Sequence, residues 1–277
     1  MNNDKNITFV QFNILSSLLA VLNRNEYSST DFIIANYLLE NIHDLNKLSI
    51  YKVAEDCFIS RSSIQRFIKT IGFNSFKDLK ANAQEVMDHQ KALIEYTDYT
   101  NYEETLSKKI MDMITAINNS VSKKELVTLA HQIYDTKNVI LLAAEDSVAS
   151  LRLLQNLLAT SYKLVRVVTS SSIDARLFEH LNNDDLIITF SISGNYALAA
   201  LPLLRKLTVR KTLITLNRTS LFETTFDKII YISHDTTLNN RAIKRYQNVY
   251  TRYALNYFVD LLFHQYFITF MNQEKQE

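Results

Sequence analysis

Glycine and proline are almost missing from this chain: its 277 residues include two of the first and one of the second, where average usage would give roughly twenty and fourteen. Such a composition favours helices with few tight turns, and any site that normally relies on glycine must be built differently. Cysteine is equally scarce. The single Cys57 excludes an internal disulfide, and no Cys/His grouping has the spacing of a zinc site. The six histidines are scattered, with no pair at metal-binding helical spacing. Neither a metal nor any other cofactor is expected. A strong charge of one sign is lacking too. The formal net charge is +1, so a nucleic-acid partner must be argued from local charge. No apolar run approaches the ~20 residues of a membrane span, and Met1 to Val10 lacks the basic-then-apolar layout of a signal peptide. These absences lead to the expectation of a cytoplasmic protein with no membrane partner, long enough for two domains.

The first 88 residues read as helical. Apolar Phe32, Ile33, Tyr37 and Leu38 recur at helical spacing between Thr30 and Asn41, with Ser28, Ser29 and Thr30 as candidate N-caps. Further helices fit Ser49 to Phe58, Arg61 to Ile71 and Phe76 to Met87, the Arg61 helix ending at Gly72, where a left-handed helix terminus is expected. Residues 89–102 are polar, contain tyrosines and have no apolar face, which makes them the expected linker. Two amphipathic helices follow, Glu103 to Asn119 and Lys123 to Tyr134. The rhythm then changes to short β-rich runs: Val139–Ala143, Leu164–Val168, Leu186–Phe190, Thr212–Leu216 and Ile229–Ile232. Apolar strands alternating with helices indicate a parallel sheet covered on both faces. The tail from Asn240 to Met271 reads as a long helix rich in Tyr and Phe, suited to core packing or to a subunit interface.

Within the helical part, Ser49 to Lys69 (SIYKVAEDCFISRSSIQRFIK) forms one unit. Ala54 is small where two helices must approach, Ser60 can cap the next helix, and Ile64 and Phe67 point back into a core. This is the pattern of a helix-turn-helix, whose second helix lies in the major groove of DNA. The candidate DNA-binding residues are Ser60, Arg61, Ser62, Ser63, Gln65, Arg66 and Lys69. Arg and Gln make paired hydrogen bonds to base edges, and Ser suits bases or phosphates. From Ser60 to Lys80 there are five basic residues, Arg61, Arg66, Lys69, Lys77 and Lys80, against the single acid Asp78, enough to neutralise phosphates locally. The competing reading is a helical bundle whose basic residues merely face solvent. Phe58 stands in the turn where glycine is usual, which predicts a strained or differently shaped turn.

Residues Tyr27 to Val86, with LLEN at Leu38–Asn41, LSIYKVAED at Leu48–Asp56, SRSSIQRFIKTIGF at Ser60–Phe73 and FKDLK at Phe76–Lys80, resemble the N-terminal domain of RpiR/MurR regulators. That family joins its helix-turn-helix to a sugar-isomerase (SIS) domain. The resemblance implies an α/β protein overall: an all-α DNA-binding domain over 1–88, then a doubly wound parallel α/β domain over 103–277 with the flavodoxin-like strand order 2-1-3-4-5. It also implies a transcription regulator that binds a double-stranded operator as a homodimer or homotetramer and answers to a small effector, a phosphosugar or related metabolite.

In that topology ligands sit beyond the strand C-termini where the order reverses, between the first and third strands. The loops expected to meet there are Ala143-Ala144-Glu145-Asp146-Ser147 and Ser191-Ile192-Ser193-Gly194-Asn195. The second is similar to the SxSG motif with which SIS domains hold phosphosugars, and makes Ser191, Ser193, Gly194 and Asn195 candidate ligand residues, joined by Ser147 from the first loop. An ordinary serine-capped helix would look the same. The first loop departs from the family's Gly-x-Gly-Ser-Ser, and Glu145 and Asp146 bring negative charge that opposes a phosphate. Tyr196 also replaces the family's usual threonine. A neutral or cationic ligand, or a pocket kept only for oligomerisation, is the alternative. A phosphosugar isomerase is the enzyme alternative, but no general base with a converging partner stands out: Glu179 and His180 are adjacent on an expected helix and diverge. No catalytic residue is assigned.

Overall fold

In a computed structural model the described residues are 14–83, 86, 90, 101–144, 147–169, 177–234 and 249–272. The chain divides into two compact units, Met1–Glu95 and Tyr96–Glu277. Residues 91–100 of the expected linker lie outside the described residues.

The described part of the first unit is all helical: α1 Ile14–Arg24, α2 Thr30–Glu40, a 3-10 turn Ile42–Lys47, α3 Ile50–Asp56, α4 Arg61–Thr70 and α5 over residues 76–83. Serines start four of these helices. The hydroxyls of Ser29, Ser49, Ser60 and Ser75 accept the N–H of Phe32, Lys52, Ser63 and Asp78 at 3.1–3.2 Å, each cap worth about 1 kcal/mol. The core gathers one residue row from each helix, including Ile14, Leu18, Ile34, Leu38, Val53, Ile64, Phe67, Ile68 and Leu79. Helix α1 was not among the expected elements. Its Ile14 and Leu18, four residues apart, bury one face against this core.

The scarcity of glycine shows in how the helices end. Helix α4 closes with Gly72 N–H to Lys69 O and Phe73 N–H to Ile68 O, around Gly72 at φ 93°. This is the Schellman pattern, which needs a left-handed residue. Helix α3 ends the same way, with Phe58 N–H to Glu55 O and Ile59 N–H to Ala54 O, yet its left-handed residue is Phe58, at φ 54° and 96% exposed. Tyr162 repeats this in the second unit at φ 60° and 90% exposed. The turn of the helix-turn-helix thus keeps its ordinary hydrogen bonds and carries the strain in one residue. Replacing Phe58 by Gly relieves about 1–2 kcal/mol of left-handed strain against about 0.5–1 kcal/mol of added chain entropy. The expected outcome is a gain of about 0.5–1 kcal/mol, seen as a higher unfolding temperature of the full chain. A lower temperature would mean that the ring makes stabilising contacts.

The second unit opens with α6 Tyr102–Ser120 and α7 Lys123–Asp135, then alternates: β1 Val139–Ala143, α8 Val148–Thr160, β2 Arg166–Thr169, β3 Leu186–Phe190, α9 Asn195–Leu204, β4 Arg210–Thr215, β5 Lys228–Tyr231 and α10 Leu255–Phe270. The five strands form one sheet in the order β2-β1-β3-β4-β5, every pairing parallel. This is the expected order, and β1 and β3 are buried along their whole length, as a sheet covered on both faces requires. Strand β2 begins at Arg166, later than the expected Leu164, which is 77% exposed beside the turn at Tyr162. Helix α10 follows a π-helical turn, Tyr250–Ala254, and buries Leu255, Phe258, Val259, Leu262 and Tyr266 in the core. Phe258 meets Phe190 of β3 edge to face, with ring centroids 6.4 Å apart. The described part of the aromatic tail is therefore core on its inner face. Its expected beginning, Asn240 to Asn248, lies outside the described residues.

Candidate functional sites

Helix α4 has two opposed faces. Ile64, Phe67 and Ile68 are buried, while Arg61, Ser62, Gln65, Arg66 and Lys69 are exposed. With Ser60 exposed and Ser63 half-buried at the helix start, all seven candidate residues belong to this face. Positions 61, 65 and 69 recur at a spacing of four, as do 62 and 66, so the polar residues form one outward stripe. The three serines are knitted together: Ser60 Oγ lies 2.9 Å from Ser62 Oγ and 3.0 Å from Ser63 Oγ. Ser60 therefore serves first as the cap of α4. Arg66 Nη2 reaches Ser63 Oγ at 3.4 Å. The Arg61 guanidinium lies over the ring of Tyr51, 4.6 Å from its centroid.

Among the described residues neither Arg61 nor Arg66 forms an ion pair. Of the two acids of α3, Glu55 and Asp56, the second is already engaged. Asp56 accepts the hydroxyl of Tyr37 at 2.5 Å and the ammonium of Lys52 at 2.7 Å. The bond from Lys52, then that from Tyr37, holds its carboxyl below the usual range, and the same bond to Asp56 pushes the Tyr37 phenol up to about 12. Among the described residues the stripe thus keeps its positive charge without an internal counter-ion. Lys80, expected in the phosphate-neutralising group, is placed otherwise: its ammonium donates to the carbonyl of Leu48 at 2.9 Å and ties α5 to the start of α3. Lys77 is exposed.

In the second unit, β1 and β3 are the neighbours at which strand order reverses, and Ala143 pairs with Phe190 at their C-terminal ends. The loops that follow therefore leave one edge of the sheet side by side, at the topological switch point. Glu145 and Asp146 lie outside the described residues; Ser147 directly precedes α8. Ser191 is buried, and its hydroxyl accepts the N–H of Ala197 in the first turn of α9 at 3.1 Å. It braces the helix and keeps its own proton to donate. Ser193 is half-buried, 3.4 Å from the N–H of Asn195. Gly194, at φ 80°, is the N-cap of α9, and Asn195 is the first helical residue. Tyr196 is 5% exposed and belongs to the core.

Gly194 is one of the candidate ligand residues. Its neighbour in the structure is Asn217, from the loop after β4. A Cβ on Gly194 would stand 2.4 Å from Asn217 Cβ. The Asn217 amide donates to the carbonyl of Ser193 at 3.1 Å and its Oδ1 accepts the N–H of Thr219 at 3.0 Å, so Asn217 fixes the shape of the SISG loop. Arg218, next to it, donates to the carbonyl of Ser233 at 2.7 Å and lies 4.1 Å from the Tyr231 ring centroid. Its cation stands at the same C-terminal edge of the sheet. Sequence reasoning missed Asn217 and Arg218, whose only signal is their place after a strand. Glu179 and His180 lie in a turn rather than on a helix, and both are exposed.

Residues 14–89 match the model of the helix-turn-helix domain of the rpiR family. The chain is 24% identical over 196 residues to a helix-turn-helix-type transcriptional regulator encoded in the aarA 3′ region of Providencia stuartii, covering 66% of each chain. Over 68 residues it is 35% identical to another such regulator, from Caldanaerobacter subterraneus subsp. tengcongensis, covering 24% of each. It thus spans less than two thirds of either relative's length. Among solved structures, similarity extends to the Vibrio vulnificus NanR protein complexed with ManNAc-6P (15% identity, 95% of this chain and 94% of that one, TM-score 0.49). It extends also to the sugar isomerase domain of an RpiR transcription factor from Sphaerobacter thermophilus (14% identity, 63% and 94%, TM-score 0.47).

Proposed function

Because residues 14–89 are a helix-turn-helix domain of the rpiR type, we propose that this chain is a sequence-specific, DNA-binding transcription regulator and not an enzyme. Residues 1–88 hold the DNA-binding part and residues 103–277 the effector-sensing and self-association part. The observation that carries the reading is the outward stripe of α4, where Arg61 and Arg66 stand without an acidic partner among the described residues, beside Gln65 and a serine-lined helix start. Bidentate donors on a helix that can enter the major groove suit base edges, and Lys69 suits a phosphate. Binding as a homodimer on two-fold related half-sites is expected, since two linked modules multiply affinity. A DNA operator puts the working compartment in the cytoplasm. Selection from a random duplex library by the full-length protein should enrich a two-fold symmetric motif. A selection that enriches nothing would overturn the proposal.

The effector, on this reading, is a small anion such as a sugar phosphate, held beyond β1 and β3. Ser193 and Asn195 lie at the start of α9, where the positive end of the helix dipole favours negative charge, and Ser191 and Ser147 border the same edge. Calorimetry with a panel of sugar phosphates should show binding that Ser193→Ala weakens by about 1.5–3 kcal/mol, the loss of one hydrogen bond to a charged group. Equal heats from wild type and variant would remove Ser193 from the site.

A further inference from the structure

An exposed cation–ring contact of the first unit lies where the two helices of the DNA-binding motif begin. Tyr51 is the second residue of α3 and Arg61 the first of α4, ten positions apart, yet the guanidinium lies 4.6 Å from the ring centroid. Tyr51 is 65% exposed, so the ring contributes little to the core. A free arginine side chain samples many rotamers. One laid on an aromatic face is confined, because the ring's negative face attracts the planar cation. No carboxylate among the described residues competes for it. Arg66 is steadied separately, through Ser63.

Resting on the DNA-binding reading above, we infer that Tyr51 is a positioning residue: its ring holds the Arg61 guanidinium in the orientation that reads one guanine, and so sets specificity at a single base pair of each half-site. The chemistry follows from the planar fork of arginine. Two parallel N–H donors match O6 and N7 of guanine only when the fork's plane and direction are fixed. An arginine left free would serve as a mobile charge for phosphates, which adds affinity without sequence information. Ring and cation thus act as one reading element built from both helices. A phenylalanine at position 51 would preserve it, since the attraction resides in the ring face.

The test uses the full-length protein in four forms: wild type, Tyr51→Ala, Tyr51→Phe and Arg61→Ala. Duplexes are first selected by wild type from a random library. Each form is then titrated by fluorescence anisotropy, at one salt concentration, against the selected duplex, its single base-pair replacements and a random-sequence duplex. Wild type should prefer guanine at one position by about tenfold or more over the other bases. Arg61→Ala should abolish that preference, Tyr51→Ala should reduce it to within about threefold, and Tyr51→Phe should keep it. Affinity for the random duplex should be unchanged by either Tyr51 substitution. Retention of the preference in Tyr51→Ala overturns the inference, as does an equal loss on every duplex, which marks a phosphate contact. A preference lost equally in Tyr51→Phe places the effect in the hydroxyl and overturns it as well. If Arg61→Ala keeps the guanine preference, the inference fails while the DNA-binding reading stands. If wild type enriches no sequence at all, both fall.

Discussion

Gly194→Ala should destabilise the α/β unit by about 2–5 kcal/mol, the sum of a left-handed backbone and an overpacked contact. At φ 80° a side chain is strained wherever it points. Here it points at Asn217, whose Cβ, Nδ2 and Cγ would stand 2.4, 2.7 and 2.8 Å from the new methyl group. Asn217 is buried and cannot step aside without giving up its bonds to Ser193 and Thr219. The substitution therefore strikes a backbone angle, a close contact and two hydrogen bonds together. In thermal unfolding of the full chain the transition of this unit should fall by many degrees. The same substitution in an Asn217→Gly background should cost at least ~1 kcal/mol less, because the Cβ, Cγ and Nδ2 that it meets are gone, which makes the two positions energetically coupled. A Gly194→Ala protein within about 0.5 kcal/mol of wild type, the range of ordinary surface changes, would show that the loop is not packed as described.

That coupling also marks a boundary of what the sequence discloses. A buried parallel sheet could be anticipated because VILLA, LIITF and TLITL are short, β-rich and mostly apolar runs, whereas the strand order came only from the family resemblance. The recognition helix could be placed to within a residue because Ser60 and Gly72 are local signals, one a cap and the other a left-handed terminus. Phe58 could be flagged as a misfit in its turn, though not that the turn would keep its full hydrogen-bond pattern around a bulky left-handed residue. What escaped depends on contacts between distant positions. Asn217 and Gly194 meet through the fold, the ammonium of Lys80 finds a carbonyl 32 residues away, and Tyr51 finds Arg61 across a turn. Periodicity and caps carry no information about such pairs. Helix α1 escaped for a different reason: only Ile14, Ser17 and Leu18 of its eleven residues are buried, too short a pattern to separate from its apolar surroundings.

The second large effect bears on the central claim, that the outward stripe of α4 is a DNA-reading surface. Arg61 and Arg66 supply its two guanidiniums, both exposed and both held by uncharged neighbours, so their removal should leave the fold intact and take away binding. The direct measurement is an anisotropy titration of the full-length protein on a duplex that it has enriched, between about 50 and 200 mM salt, a range over which phosphate contacts weaken measurably. Arg61→Ala and Arg66→Ala should each weaken binding by about 1–3 kcal/mol if the side chain reads a base. One that contacts a phosphate should instead weaken all duplexes alike and lower the salt slope by about 1. The double variant should bind the enriched duplex no better than a random one, with an unchanged circular dichroism spectrum. A double variant that is folded and binds the enriched duplex as tightly as wild type would contradict the account.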